Sequence, residues 1–384
     1  MTIRFSIIIP VFNRPDELGE LLESLLKLKR AEKGNPGGYG FGYRSGSGSG
    51  SGSDTGSETD RQAGTHREGR QDPDNGTGDE TLAWEVIVVE DGSTVRSKDI
   101  CQSFREELSV TYLYQENAGP AAARNTGSKA ARGEWLLFFD SDCLIPEGYF
   151  DAMTRALEDP SIDFFGGPDR AAAEFTATQK AIDYAMTSFL TTGGIRGGRR
   201  KLDKYYPRSF NKGVRKAAFE EVGGFSGLRF GEDLDLSMRL MKAGYRSALI
   251  EDAWVYHKRR TDLKKFFKQV YNSGMARVVL NRLHPGTMKA VHLLPSLFVL
   301  YLAAALVSLL LMPEGVLWYP VGILAVILFI DGFRSTGDLG ASLLIPPASF
   351  VQLCGYGTGL IHSFVLIHIL GRNRASAFEK NFYK

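Results

Sequence analysis

Three places in this 384-residue chain put carboxylates where they could do chemistry. The apolar run Trp135 to Phe139 ends abruptly in Asp140-Ser141-Asp142. Such a run has the length of a strand buried on both faces, and ligands of open α/β sheets bind beyond the carboxyl ends of their strands. Two Asp side chains at i and i+2 are hard oxygen ligands suited to Mg²⁺ or Mn²⁺ with a phosphate; the bland alternative is an Asp-rich turn. A second apolar strand, Trp84 to Val89, delivers Glu90-Asp91-Gly92-Ser93 to the same edge. There Asp91 either accepts hydrogen bonds from a base or ribose or caps the helix that follows. Third, Glu232-Asp233-Leu234-Asp235 packs like charges together, which raises pKa values unless cations or hydrogen bonds compensate. An acidic first turn favoured by the helix dipole is the other reading of Asp235, with Arg239 as its i+4 ion-pair partner.

The elements that must position these groups alternate between strand and helix. Ile3 to Val11 reads as a buried strand, and Asn13-Arg14-Pro15-Asp16-Glu17 as a helix start with Asn13 as N-cap. Leu18, Leu21, Leu22, Leu25 and Leu26 then recur at helical spacing, one face toward a sheet. Such a strand, loop and helix N-terminus can meet a nucleotide through backbone N–H groups, although no G-x-G-x-x-G follows. Further on, Lys98 to Leu108 reads as a helix, Val110 to Tyr114 as a strand, and the Ala-rich segment from Ala121 as a helix carrying Arg124 and Asn125. Beyond the Asp pair come a helix over Glu147 to Leu157 and a strand and turn over Asp163 to Pro168. The Gly/Arg-rich stretch Thr191 to Lys201 is either a loop that closes over a diphosphate or a plain basic surface loop. Residues 31–80 are Gly, Ser and charge with almost nothing to bury, and read as a disordered insertion.

A formal net charge of +2 gives no strong overall field, so no nucleic-acid partner is expected. Cys101, Cys143 and Cys354 lie far apart, which points away from a disulfide framework or zinc site and toward a reducing, cytosol-facing setting. Phe5 to Val11 is too short for a signal peptide's apolar region.

Taken together, Ser6-Ile7-Ile8-Ile9-Pro10-Val11-Phe12-Asn13, the strand ending Glu90-Asp91-Gly92-Ser93, the segment Gly119-Pro120 to Asn125, and Asp140-Ser141-Asp142 resemble the family 2 glycosyltransferases. The order and spacing match apart from the insertion, over about residues 2–274. The resemblance implies the GT-A fold: an α/β, Rossmann-like mixed sheet with helices on both faces. It implies an inverting transferase that uses a nucleotide-diphospho-sugar donor and a divalent ion, Mg or Mn. On the same ground, Pro10, Val11, Asn13, Asp91, Arg124, Asn125, Asp140, Ser141, Glu232 and Arg239 are the expected donor-binding residues. Asp140 and Asp142 would serve the metal, with His257, at the end of the short strand Ala253 to His257, as a further ligand. Asp233 of the Glu-Asp pair would be the general base, since sugar transfer needs a base within reach of the acceptor hydroxyl.

The catalytic domain is expected over residues 1–282 and a membrane domain over 290–372, with apolar segments at about 292–312, 316–333 and 341–370. The first is long enough to cross a bilayer, the second is marginal, and the third is interrupted by Pro346-Pro347 and three glycines, so one kinked span or a re-entrant pair both fit. A basic amphipathic helix over Thr261 to Tyr271 reads as lying on a membrane surface, with packing on the catalytic domain as the alternative. Basic residues before the first span put the catalytic domain on the cytoplasmic face of the inner membrane. Three spans would leave Arg372, Arg374, Lys380 and Lys384 outside, against that rule. The expectation is a multi-pass enzyme acting on a lipid-linked or glycan acceptor of the cell envelope, in contact with membrane lipids. A processive polysaccharide synthase and a catalytically silent scaffold are the rivals; the synthase's Gln-x-x-Arg-Trp motif is missing.

Overall fold

The computed structural model describes residues 3–34, 83–170, 175–193, 205–258, 261–311 and 315–372. From residue 35 the expected insertion lies outside them, as does the Gly/Arg-rich stretch from residue 194 to residue 201. The chain runs β1 (Phe5–Val11), α1 (Pro15–Gly34), β2 (Trp84–Asp91), α2 (Lys98–Ser103), β3 (Val110–Gln115), α3 (Pro120–Ala130) and β4 (Trp135–Phe139). It continues with β5 (Cys143–Leu144), α4 (Tyr149–Ala156), β6 (Phe164–Gly166), β7 (Asp169–Arg170), α5 (Ala177–Thr187) and α6 (Phe189–Thr192). Then come β8 (Asn211–Arg215), α7 (Lys216–Glu221), α8 (Glu232–Lys242), β9 (Ser247–Leu249), β10 (Val255–His257) and α9 (Leu263–Leu283). The apolar tail forms α10 (Ala290–Leu311), α11 (Tyr319–Thr336) and α12 (Leu339–Phe364).

The main sheet has the order β3-β2-β1-β4-β8-β6-β9. β1 pairs in parallel with β2 and β4, while β8 is antiparallel to β4 and β6. Alternation of side chains sorts the strands' residues onto two faces. Phe5, Ile7, Ile9, Val86, Val88, Trp135, Leu137 and Phe139 meet the leucines of α1 on one, while Ile8, Ile87, Val89, Leu136 and Phe138 meet α3, α7 and α8 on the other. Each large side chain so buried contributes about 1.5–3 kcal/mol. Because the chain builds outward from β1 to β3 and then returns to place β4 on β1's other edge, the sheet's switch point lies between β1 and β4. The crevice there opens beyond the ends of these two strands, between Asn13-Arg14 and Asp140-Asp142.

A second sheet, β5-β10-β7, carries the next step. Its register sets His257 opposite Cys143, which brings the imidazole beside Asp142. Several expected boundaries shift. The helix after β2 is shorter than its apolar pattern predicts and unwinds into turns after Ser103. The basic helix is longer and runs to Leu283, with Phe266 and Val270 buried against the rest of the chain. Asn13 does not cap α1. It takes a left-handed backbone, φ 52°, and its carbonyl oxygen accepts from the N–H groups of Thr94 and Val95 at 2.8 and 3.1 Å, so it ties the β1 loop to the β2 loop. Among the described residues, three helices are long and apolar enough to cross a membrane: Ala290–Leu310, Val316–Thr336 and Leu339–Ile369, the second and third including short non-α turns at one end.

Candidate active site

Asp142 is held from two sides at the crevice. Arg14 donates to one oxygen, and His257 Nε2 lies 3.1 Å from the other. Burial would push its pKa up, but the charges and hydrogen bonds of His257 and Arg14 outweigh burial and hold it well below the usual carboxylate range. The His257 ring stacks on Phe210 with centroids 5.0 Å apart, and its Nδ1 faces Asp169 at 3.9 Å. Burial opposes a charge on this imidazole, yet Asp142 raises its pKa to about 9.

Asp140 points the other way. It accepts from Arg124 at 2.6 Å, and the same guanidinium donates to Glu232 at 3.1 Å while lying 5.4 Å from the centre of the Phe225 ring. Arg124 is almost wholly buried, so its charge must be matched, and the two carboxylates match it. It thereby joins the end of β4 to the start of α8.

At α8 the adjacent carboxylates differ. Glu232 is pushed up to about 7 by burial and by Asp233, against the pull of Arg124. Asp233 is also buried, but Arg208, Lys212, the Leu234 N–H and Arg124 bring its pKa below the ordinary value. Its oxygens accept from Leu234 N at 2.8 Å and Arg208 at 3.3 Å. Lys212, which β8 sets opposite Phe138, donates to the Asp233 carbonyl at 2.8 Å and to Ser237 at 3.0 Å, and burial pulls it down to about 7. A pair whose pKa values are driven apart can assign different jobs to similar groups.

Other expected site residues have identifiable occupations. Asp91 accepts from Gln115, Ala118 N and Gly119 N at 2.7, 2.9 and 2.8 Å, which fixes the entry to α3. Asn125 exchanges two hydrogen bonds with the Phe225 backbone, at 2.8 and 2.9 Å. Arg239 binds Asp235 at 2.9 Å and the carbonyls of Val222 and Gly224 at 2.5 and 2.7 Å. In this arrangement Asn125 and Arg239 hold the loop before α8. Pro10 and Val11 end β1 and Ser141 lies buried between the two Asp residues. Arg14, Arg208 and His284 were not singled out by the sequence; His284, at α9's end, donates through Nε2 to Asp235 at 2.8 Å. Only Arg14 carried a signal, as the cation in the loop after β1.

The donor set suits a hard divalent ion. Asp142, Cys143 and His257 bring ligand atoms within 4.8 Å of one another, but Cys143 is wholly buried, bonded to the Phe210 carbonyl, and pushed up by burial, so it stays a thiol. That leaves Asp142 and His257, while Asp140 is turned toward Arg124, and the two cationic groups on Asp142 put positive charge where an ion would bring it.

Residues 75–223 match the model of the family described as glycosyl transferase family 2. Over that segment the chain is similar to the family 2 glycosyltransferases. It is 30% identical over 212 residues to the pre-mycofactocin glycosyltransferase of Mycobacterium tuberculosis, covering 52% of this chain and 43% of that protein. It is 26% identical over 185 residues to glycosyltransferase GlyG of Streptococcus pneumoniae, covering 46% of this chain and 61% of that one. The chain thus spans less than two thirds of either relative. Among solved structures it is similar to the mannosyltransferase PcManGT from Pyrobaculum calidifontis, in complex with GDP-Man and Mn²⁺, with TM-score 0.55, 16% identity, and coverage of 91% of this chain and 88% of that one. At that identity the likeness is one of fold, and the fold of this chain is GT-A.

Proposed function

We propose that this glycosyltransferase moves a sugar from a nucleotide-diphospho-sugar to a hydroxyl of a lipid-linked or glycan acceptor at the cytoplasmic face of the inner membrane, with inversion. The observation that carries the reading is the chain of contacts Asp140–Arg124–Glu232 beside Asp233, which couples a diphosphate-side carboxylate to a buried, ionised base. Asp233 takes the proton of the acceptor hydroxyl as its oxygen bonds to the anomeric carbon. The bond from that carbon to the diphosphate oxygen breaks on the opposite face, and the electron pair leaves with the nucleoside diphosphate. A divalent ion, Mg or Mn, held by Asp142 with Asp140 and His257, would offset charge on that leaving group. Asp91 is assigned to the nucleoside end, and Arg124 keeps Asp140 and Glu232 oriented.

The acceptor assignment rests on the apolar helices that follow the catalytic domain. Native membrane vesicles containing the full chain, incubated with radiolabelled nucleotide sugars, should pass label into the organic phase. Label released only as free sugar, with none in lipid or glycan, would count against the acceptor reading.

A further inference from the structure

The three apolar helices are not equivalent in their contacts. α10 and α11 leave Leu300, Leu306, Val307, Leu310, Ile323 and Val326 exposed, as lipid-facing helices do, whereas α12 is far more buried within the protein. Much of that burial comes from α5 and α9, and α10 and α11 cover the rest. Its start is held by Lys180 of α5, whose ammonium lies 2.8 Å from Asp338. Near its other end, Leu366 packs with Met275 of α9, and Leu360 and Ile367 pack with Val278. Between these points the two helices run parallel with their backbones nearly touching. A Cβ at Gly274 would stand 2.1 Å from the Tyr356 carbonyl, and one at Gly359 would stand 2.0 Å from that of Tyr271.

α9 in turn is fixed to the catalytic domain, by His284 on Asp235 at 2.8 Å and by Leu280 against Gly231. It also carries Lys264, Lys265, Lys268, Arg277 and Arg282, which exclude it from hydrocarbon. A helix of 26 residues is about 39 Å long, so if α12 crossed a bilayer its two ends would lie on opposite sides. Instead both ends touch elements of the soluble domain. The feet of the other two helices stand along its length: Ser296 of α10 donates to the Gly357 carbonyl at 3.3 Å, Phe298 stacks on Phe350 at 5.9 Å, and Gly332 of α11 meets Ile345.

We propose that only α10 and α11 cross the bilayer, as a hairpin, and that α12 lies along the lipid surface as a platform between the hairpin and the catalytic domain. Its exposed Leu339, Leu343, Phe364, Ile369 and Leu370 continue the apolar surface of the hairpin and face the acyl boundary, while exposed lysines of α9 lie beside the headgroups. Arg372 then stays on the catalytic side, where a basic residue does not oppose the positive-inside rule.

This rests on the membrane reading above, and one experiment separates the two. Single cysteines are introduced in the full chain by Lys129→Cys on the catalytic domain, Val316→Cys between α10 and α11, and Arg372→Cys after α12, with the parent chain as blank. Sealed vesicles of known orientation are treated with a membrane-impermeant maleimide. The expected result is Arg372→Cys labelled from the same side as Lys129→Cys, and Val316→Cys from the opposite side. Arg372→Cys labelled from the Val316 side would overturn the platform and leave the membrane reading standing. All three on one side would overturn the hairpin and the membrane reading with it. Spin labels at Leu343→Cys and Phe364→Cys in reconstituted protein give a second readout: equal, shallow depths are expected, and depths differing by most of the bilayer thickness would overturn the proposal.

Discussion

On the proposed reading, the chemistry turns on Arg124 and Asp233. Asp233 is kept ionised by Arg208, Lys212 and Arg124 although it is buried, so it can accept a proton once an acceptor displaces water. Asp233→Asn should therefore bind metal and nucleotide sugar as the parent does, while transfer falls by about 10²- to 10⁴-fold. Calorimetry beside a turnover assay checks this, and equal losses in both would make Asp233 structural. Asp142→Asn should do the reverse and abolish metal-dependent donor affinity, because an amide lacks the charge a hard ion requires; unchanged metal dependence would remove Asp142 from the ion's ligands. Glu232 yields a pH prediction. Its folded pKa, about 7, lies above its ordinary 4.5, so as pH rises between those values the unfolded chain loses its proton first and Glu232 progressively destabilises the fold. Glu232→Gln removes that penalty. Its melting temperature relative to the parent should climb from pH 5 to pH 8, and a flat difference would show that Glu232 is not held protonated. The carboxylates were legible in the sequence because each closes an apolar strand or opens a helix. Arg208 and Lys212 were not, since a basic residue in a loop or short strand looks solvated until the fold buries it.

At the scale of elements, β1, β2 and β4 were legible from continuous apolar runs, and α1 from its leucine spacing, since both patterns survive burial unchanged. The role of the loop before α8 was not legible. Asn125 and Arg239 read as donor ligands by motif, and in the structure they bond the backbones of residues 222–225, with Arg239 on Asp235 as well. Asn125→Ala should leave the Phe225 N–H and carbonyl without these partners and cost about 1–3 kcal/mol, read as a lower melting temperature. A variant of parental stability would deny it that positioning role. Packing between distant helices is invisible to periodicity for the same reason. The glycines of α12 read as breaks in a span, yet Gly355 and Gly359 permit the close approach to α9 and Gly357 that to α10. Gly359→Val should separate the two helices and destabilise the protein by about 1–3 kcal/mol or more, as overpacking does; proteolysis between α9 and α10 would report it, and unchanged resistance would contradict the contact.

For the whole molecule, a mixed sheet places the ends of β1 and β4 at its switch point, α8 closes the crevice from the antiparallel side, and the apolar helices follow on from the same domain. Residues 34–78 carry little that could be buried. Lengthening a loop from about 8 to about 45 residues adds only roughly 1.5 kcal/mol of closure entropy, so replacing them by a short Gly/Ser joint should preserve both stability and turnover. A shortened chain that folds but does not turn over would assign the segment a role in catalysis. The central claim is that the carboxylates at the crevice form a metal-dependent nucleotide-sugar site. Titration of the purified full chain with a panel of nucleotide sugars, with and without Mn²⁺ or Mg²⁺, tests it most directly. The account predicts saturable binding of at least one donor that requires the ion and disappears in Asp142→Asn; binding of none, or binding indifferent to both the ion and Asp142, would contradict it.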